Sequence, residues 1–171
     1  MSDRISISLW LKLWDEDTTL EAFYKLMLIF PYSEKKPGVR AVTVQPLEWS
    51  EPPAYEENFA EGATADEALE AVRQFQHPDC AYIAEVYWDI ADQPVLVRLV
   101  AYGPDFEGRD EAEGHVEIDL GLDDPYRAER TSVTKLVFLM HELPKQLDLR
   151  KRLLSSESGE DVSELLARTI Q

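Results

Sequence analysis

Hydrophobic and polar positions alternate strictly at the start of the chain. Between Ile5 and Trp14 every odd position is aliphatic, whereas the even positions hold Ser6, Ser8, Trp10, Lys12 and Trp14. A period of two sends successive side chains to opposite faces, so this segment predicts a strand with one aliphatic face. The pattern then changes to helical spacing. Leu20, Phe23, Tyr24, Met27 and Leu28 follow cap-type residues at Asp15 to Thr18, which predicts a helix ending near Pro31. A second strand is read over 38–49, with Val42 and Val44 on one face and Thr43, Gln45, Leu47 and Trp49 on the other. Pro46 suggests an edge position or a bulge there. Residues 50–63 show neither period and read as an exposed acidic loop anchored by Tyr55 or Phe59.

Thr64 and Glu67 stand at capping-box spacing ahead of Ala65, Ala68, Leu69, Val72 and Phe75, predicting a second helix over 64–76. Three strands follow, in AYIAEVYWDI, PVLVRLVAY and HVEIDLGL. The short Ala91-Asp92-Gln93 connection makes the first two a hairpin. GPDFEGRDEAEG, between the second and third, reads as a mobile, solvent-facing loop. In 131–143 the stripe Val133, Leu136, Val137, Met140 and Leu143 favours a helix, with a strand as the alternative because of its β-branched residues. A kinked helical continuation, a polar break at SSESGED and a short amphipathic helix carrying Val162, Leu165, Leu166 and Ile170 complete the reading.

The expected fold is therefore α+β. A mixed five-stranded sheet, β-α-β followed by an α-β-β-β meander, carries helices on one face and ends in a helical C-terminal segment. One domain spans 1–171, with 125–171 a mainly helical extension packed on it.

Following the second phase from strand to strand gathers an unusual surface. Trp10, Trp14, Trp49, Glu85, Tyr87, Asp89, Arg98, Tyr102, Glu117 and Asp119 share it, with Lys12, Thr43, Gln45 and His115 among them. Rings supply rigid contact area and charges supply orientation, so these ten form the candidate binding face. Either the C-terminal helices cover it, with Arg98 pairing to Glu85 or Glu117, or part of it forms a wet groove between sheet and helices. Lys12 between the two tryptophans argues for the wet alternative.

Charge changes the picture next. The formal net charge is −17, and it is uneven: residues 1–124 hold 27 acidic and 9 basic side chains, residues 125–171 hold 7 and 8. Such a field repels phosphate backbones and anionic membranes and attracts basic surfaces. Nucleic acid and membrane are excluded as partners on this reading, and solubility alone is the plainer account of the charge. The longest apolar runs fall short of a membrane span, MSDR leads into a strand pattern rather than a leader, and Cys80 is the sole cysteine. A cytoplasmic protein is expected.

Candidate chemistry is sparse. Glu85, Asp89, Glu117 and Asp119 could act as acid and base or hold a metal, but carboxylates on alternate strand positions share a face by construction. His77 and Cys80 in HPDC lack further zinc ligands, and His141-Glu142 is not continued to a second histidine. The 103–114 loop departs from EF-hand order, and GxSxG, GxGxxG and GxxxxGK[ST] are all missing. No metal and no cofactor is therefore expected. Two functions remain. The first is a non-catalytic acidic binding module for a basic protein, such as an inhibitor or immunity-type antidote. The second is a small-molecule-binding domain, or a metal-assisted enzyme, using the aromatic and carboxylate face.

Overall fold

The computed structural model describes residues 2–90, 93–123 and 130–156. Along the chain run β1 (Ser2–Leu11), α1 (Glu16–Ile29), β2 (Val39–Pro46), β3 (Tyr55–Ala63), α2 (Ala65–Arg73), β4 (Cys80–Trp88), β5 (Val95–Tyr102), β6 (Val116–Asp123), α3 (Arg130–Gln146) and β7 (Leu149–Ser156). The strands form one sheet in the order β3-β2-β4-β5-β6-β1-β7, and every neighbouring pair is antiparallel.

The expected mixed five-stranded sheet is thus corrected to a seven-stranded antiparallel one. Strands β1 and β2 do run parallel on either side of α1, but β4, β5 and β6 fill the space between them, so they never pair. One added strand is β3, from the stretch read as an acidic loop. Its hydrophobic signal is weak because it lies at an edge, with most of its side chains in solvent. The other is β7, from the stretch read as a helical continuation. Its pairing with β1, Ile7 opposite Leu154 and Trp10 opposite Lys151, comes from a partner at the far end of the chain. Of the expected helical C-terminal segment, α3 ends at Gln146 and Leu149–Ser156 is strand; the amphipathic stretch around Val162 and Ile170 lies outside the described residues. Pro46 neither sits on an edge strand nor forms a bulge: it ends β2, which is interior, while the register shift falls between Val39 and Ala41.

Local signals fix the helices where they were expected. Asp15 caps α1 by accepting the Thr18 N–H at 2.8 Å, and Thr18 Oγ1 accepts the Asp15 N–H in return. Thr64 and Glu67 make the same reciprocal cap on α2. The 131–143 ambiguity resolves as helix. Ile5, Ile7 and Leu9 of β1, Val42 and Val44 of β2, Val97 and Leu99 of β5, and Val116 and Ile118 of β6 form the first face and share one core with all three helices. Leu136, Leu139 and Leu143 bring α3 into that same core, with Leu147 just past its end, so α3 does not lie on the second face. Among the described residues no helix is long and apolar enough to cross a membrane.

Candidate functional site

What covers the middle of the second face is the loop between β5 and β6. Phe106 is 5% exposed and packs with Ala81, Ile83, Val100 and Tyr102 in a second, smaller core. Backbone bonds hold this loop down: Gly103 and Asp105 donate to the carbonyls of Cys80 and Pro78, and Glu107 donates to that of Leu47. A corner after β2 completes the clasp. Leu47 adopts φ 62°, an unfavourable left-handed conformation for a γ-branched residue, and the buried Gln45 amide donates to the carbonyls of Glu48 and Glu51 to hold the turn. Trp49 is thereby set edge-on to Phe106 and Tyr102, and its indole N–H donates to the Gly108 carbonyl at 3.0 Å. The loop expected to be solvent-facing is instead a lid with a hydrophobic anchor. Among the described residues no groove forms between the sheet and α3 on this face, because α3 lies on the other one; the second expected C-terminal helix lies outside the described residues.

The ten candidate residues separate into distinct places. Trp14, Trp49, Tyr102 and Arg98 belong to the lid region: Trp14 stacks on His115 at 3.8 Å under the Arg109 guanidinium, its indole N–H donates to the Tyr102 carbonyl, and Arg98 lies over Trp49. Among the described residues no ion pair joins Arg98 to Glu85 or Glu117; Arg40 takes Glu85 at 3.2 Å. Trp10, 7% exposed, is covered by the β7 Lys151 ammonium. Tyr87 and Glu85 form a separate corner with Lys36 and Arg40. Asp89 lies past the end of β4. It accepts the Glu34 N–H, and hydrogen bonds from Ser33 and Glu34 hold its carboxyl below the ordinary range.

Glu117 and Asp119 remain, and they anchor the most unusual electrostatics. Both are 5% exposed, at the floor of an open groove of about 290 Å³ bordered by Arg4, Ser6, Asp110, Glu113 and Ser155. Asp119 is held by Arg4 at 3.2 Å and by the Ser6 hydroxyl at 2.5 Å. Burial, with Asp119 and Glu113 close by, pushes the Glu117 carboxyl up to about 8, so it carries a proton at neutral pH. The Tyr102 hydroxyl, 3.2 Å from Glu117 Oε2 and 3.3 Å from Glu113 Oε2, is driven far above the ordinary phenol range by burial and by these carboxyls. His115 Nδ1 accepts the Leu11 N–H at 3.0 Å, which requires the neutral Nε2–H form. Burial and then Arg109 bring that imidazole down to about 4.

The groove can bind a hydroxyl-bearing or cationic group and can move a proton through Glu117. Among the described residues, no group of three or more His, Cys, Asp or Glu side chains is arranged to hold a metal ion. Sequence reasoning missed Phe106, Arg109 and Glu113, which reach the face from an aperiodic loop. The one available signal was Phe106, a lone large apolar residue among carboxylates. Ser6 and Ser8 were visible in the alternation of β1 but carried no weight as a site.

Tryptophan fluorescence checks which rings the fold covers. In single-tryptophan variants, acrylamide should quench Trp49, 44% exposed, far more efficiently than Trp10 at 7% or Trp88 at 3%. Equal quenching of Trp10 and Trp49 would show that the end of this face beside β7 is open. The chain matches no protein-family model, and neither a curated protein nor a solved structure is significantly similar to it.

Proposed function

We propose that this protein is a non-catalytic acidic binding module that engages a basic protein surface, as an inhibitor or antidote does. The observation that carries the reading is the charge of the β3 edge. From Tyr55 to Arg73 the chain presents Glu56, Glu57, Glu61, Asp66, Glu67 and Glu70 against the single cation Arg73. Every one of these carboxylates is exposed. Among the described residues strand β3 pairs only with β2, at the edge of the sheet. Carboxylates along a sheet edge repel a second acidic edge of the same kind and accept a basic one. Of the aromatic side chains that suited a small-molecule cleft, Tyr102 and Trp14 pack with Phe106 of the protein's own lid, which weakens the support for a cleft at the centre of that face.

Charge reversal tests the proposal. A Glu56→Lys, Glu57→Lys, Glu61→Lys variant keeps the core intact, because all three side chains are exposed. A basic protein captured by the wild type should be identified, purified and re-measured in a binary assay. Its association rate should fall steeply with salt, and the triple variant should bind at least about tenfold more weakly, the effect of about 1.4 kcal/mol. A complex indifferent to both salt and these charges would overturn the reading.

A further inference from the structure

The acidic body carries one local reversal of sign. Residues 1–124 contain nine basic side chains, and three of them, Lys35, Lys36 and Arg40, fall within six positions. They converge with Tyr87 and Glu61 around an open pocket of about 480 Å³ at the end of the sheet beside β3. The other cations of the acidic body whose ion pairs are seen are matched with carboxylates: Arg4 with Asp119, Lys12 with Asp148, Lys25 with Glu21 and Arg73 with Glu70. Among the described residues, neither the Lys35 nor the Lys36 ammonium has a carboxylate within 4.0 Å. A chain with twice as many acidic as basic side chains thus leaves two adjacent ammoniums without an ion pair in a concave site.

The corner is held in shape by the chain itself. Ser33 Oγ accepts the Lys35 and Lys36 N–H groups, and the Ser33 N–H donates to the Tyr87 carbonyl at 2.8 Å, which ties the turn to β4. Lys36 Nζ sits 4.5 Å from the Tyr87 ring centroid, and Arg40 stacks on the same ring while pairing with Glu85. Gly38 at φ 83° and Gly62 at φ 76° let the turn approach β3 so closely that a Cβ on Gly62 would stand 2.3 Å from the Pro37 carbonyl oxygen. The cations are therefore gathered before any ligand arrives.

We infer that this corner is a binding site for a phosphate-type dianion, held by Lys35 and Lys36 with Arg40 as the third cation. Three cations line the pocket wall against Glu61, and Glu85 behind it holds Arg40 at 3.2 Å, so the corner keeps a net of +1, carried by the two ammoniums without an ion pair and open to an anion. Ammoniums serve as point-charge partners for phosphate oxygens. The overall negative charge slows the approach of such a ligand but does not decide its binding. At physiological salt, exposed charges beyond about 8 Å are largely screened, so the cations lining the pocket dominate.

The experiment uses inorganic phosphate as probe and the Gly38 and Gly62 amides as reporters in a nitrogen–proton correlation spectrum. Those two signals should move saturably, whereas sodium chloride at matched ionic strength leaves them in place. In Lys35→Glu, Lys36→Glu protein the apparent affinity should drop at least about tenfold. The lysines are exposed, so the remainder of the spectrum should be preserved and will report intact folding. A parallel titration with a nucleoside diphosphate separates two sources of the same chemistry: equal affinity marks the free anion, tighter binding the phosphoryl end of a larger molecule. Movements no larger than those caused by chloride, or a response unchanged in the double variant, would overturn the site.

Discussion

Ile118→Ala should destabilise the protein by about 2–5 kcal/mol, which for a chain of this size lowers the thermal midpoint by roughly 5–15 °C. Ile118 lies opposite Ile7 on β1 and Leu99 on β5, and all three are fully excluded from solvent. Truncation there removes buried methyl and methylene groups in the middle of the sheet, where the flanking strands are fixed by backbone pairing and cannot collapse into the space. Ile118→Val, which removes a single methylene, should cost only about 0.5–1.5 kcal/mol. The contrast is Phe138→Ala on α3. That ring is 64% exposed, so the change should stay within about 0.5 kcal/mol. Urea or thermal unfolding of the three variants measures the series. A midpoint for Ile118→Ala indistinguishable from wild type would mean that the two faces of the sheet have been exchanged.

The phase of the sheet was legible in the sequence because a strand with one buried face records that fact in every second residue. Ile7, Leu9, Val42, Val44, Val97, Val116 and Ile118 follow that rule, and they all meet in one core. The helix starts were legible for a local reason as well, since a capping box is written within four residues. Edge strands write much less. Strand β3 has one neighbour and buries little, so Glu56, Glu57 and Asn58 obscure its alternation. Strand β7 carries Arg150, Lys151 and Arg152 in succession, which reads as a polar helical face until β1 is known to lie beside it.

Helix faces were located to within part of a turn. On α1 the expected stripe included Leu28, which is 54% exposed, while Leu26 is buried in its place. The apolar surface of that helix is broad enough that spacing alone does not select its centre line.

The candidate face was legible as a face and not as a site. Alternation placed Trp10, Glu85, Tyr87, Arg98, Tyr102, Glu117 and Asp119 on strands, whereas Trp14, Trp49 and Asp89 lie beyond strand ends, and it carried no information on which of them a loop would cover. Phe106 decides that question: by filling the space above Val100 and Tyr102 it turns the central aromatic residues into a second core. Two polar corners are left on either side. Glu117 and Asp119 line an acidic groove, and Lys36, Arg40 and Tyr87 a basic pocket. The division of one expected site into a closed centre and two corners of opposite charge is a consequence of the lid.

The acidic groove should make stability fall as pH rises from about 6.5 to about 8, and Glu117→Gln should abolish that fall. Glu117 keeps its proton in the folded protein up to about 8, whereas its ordinary value is 4.5. Between those values the unfolded chain holds fewer protons than the folded one, so rising pH favours unfolding, and the penalty is complete above pH 8. For a carboxyl this deeply buried the cumulative effect is on the order of 3 kcal/mol. His115 acts with the opposite sign. Its folded value of about 4 lies below its ordinary 6.5, so in that interval the unfolded chain holds more protons and stability rises with pH. The two effects oppose each other between pH 4.5 and 6.5, leaving the Glu117 decline exposed only above 6.5. A glutamine at 117 preserves the hydrogen bond with Tyr102 and has no proton to lose, so the variant should be more stable than wild type at pH 8.5 and closer to it at pH 5. His115→Gln can still accept the Leu11 N–H, and it should extend the decline down toward pH 4.5. Chemical denaturation across this range reads both slopes. If Glu117→Gln retained the wild-type fall between pH 6.5 and 8, the proton would not reside on Glu117, and the groove would carry a full negative charge at neutral pH.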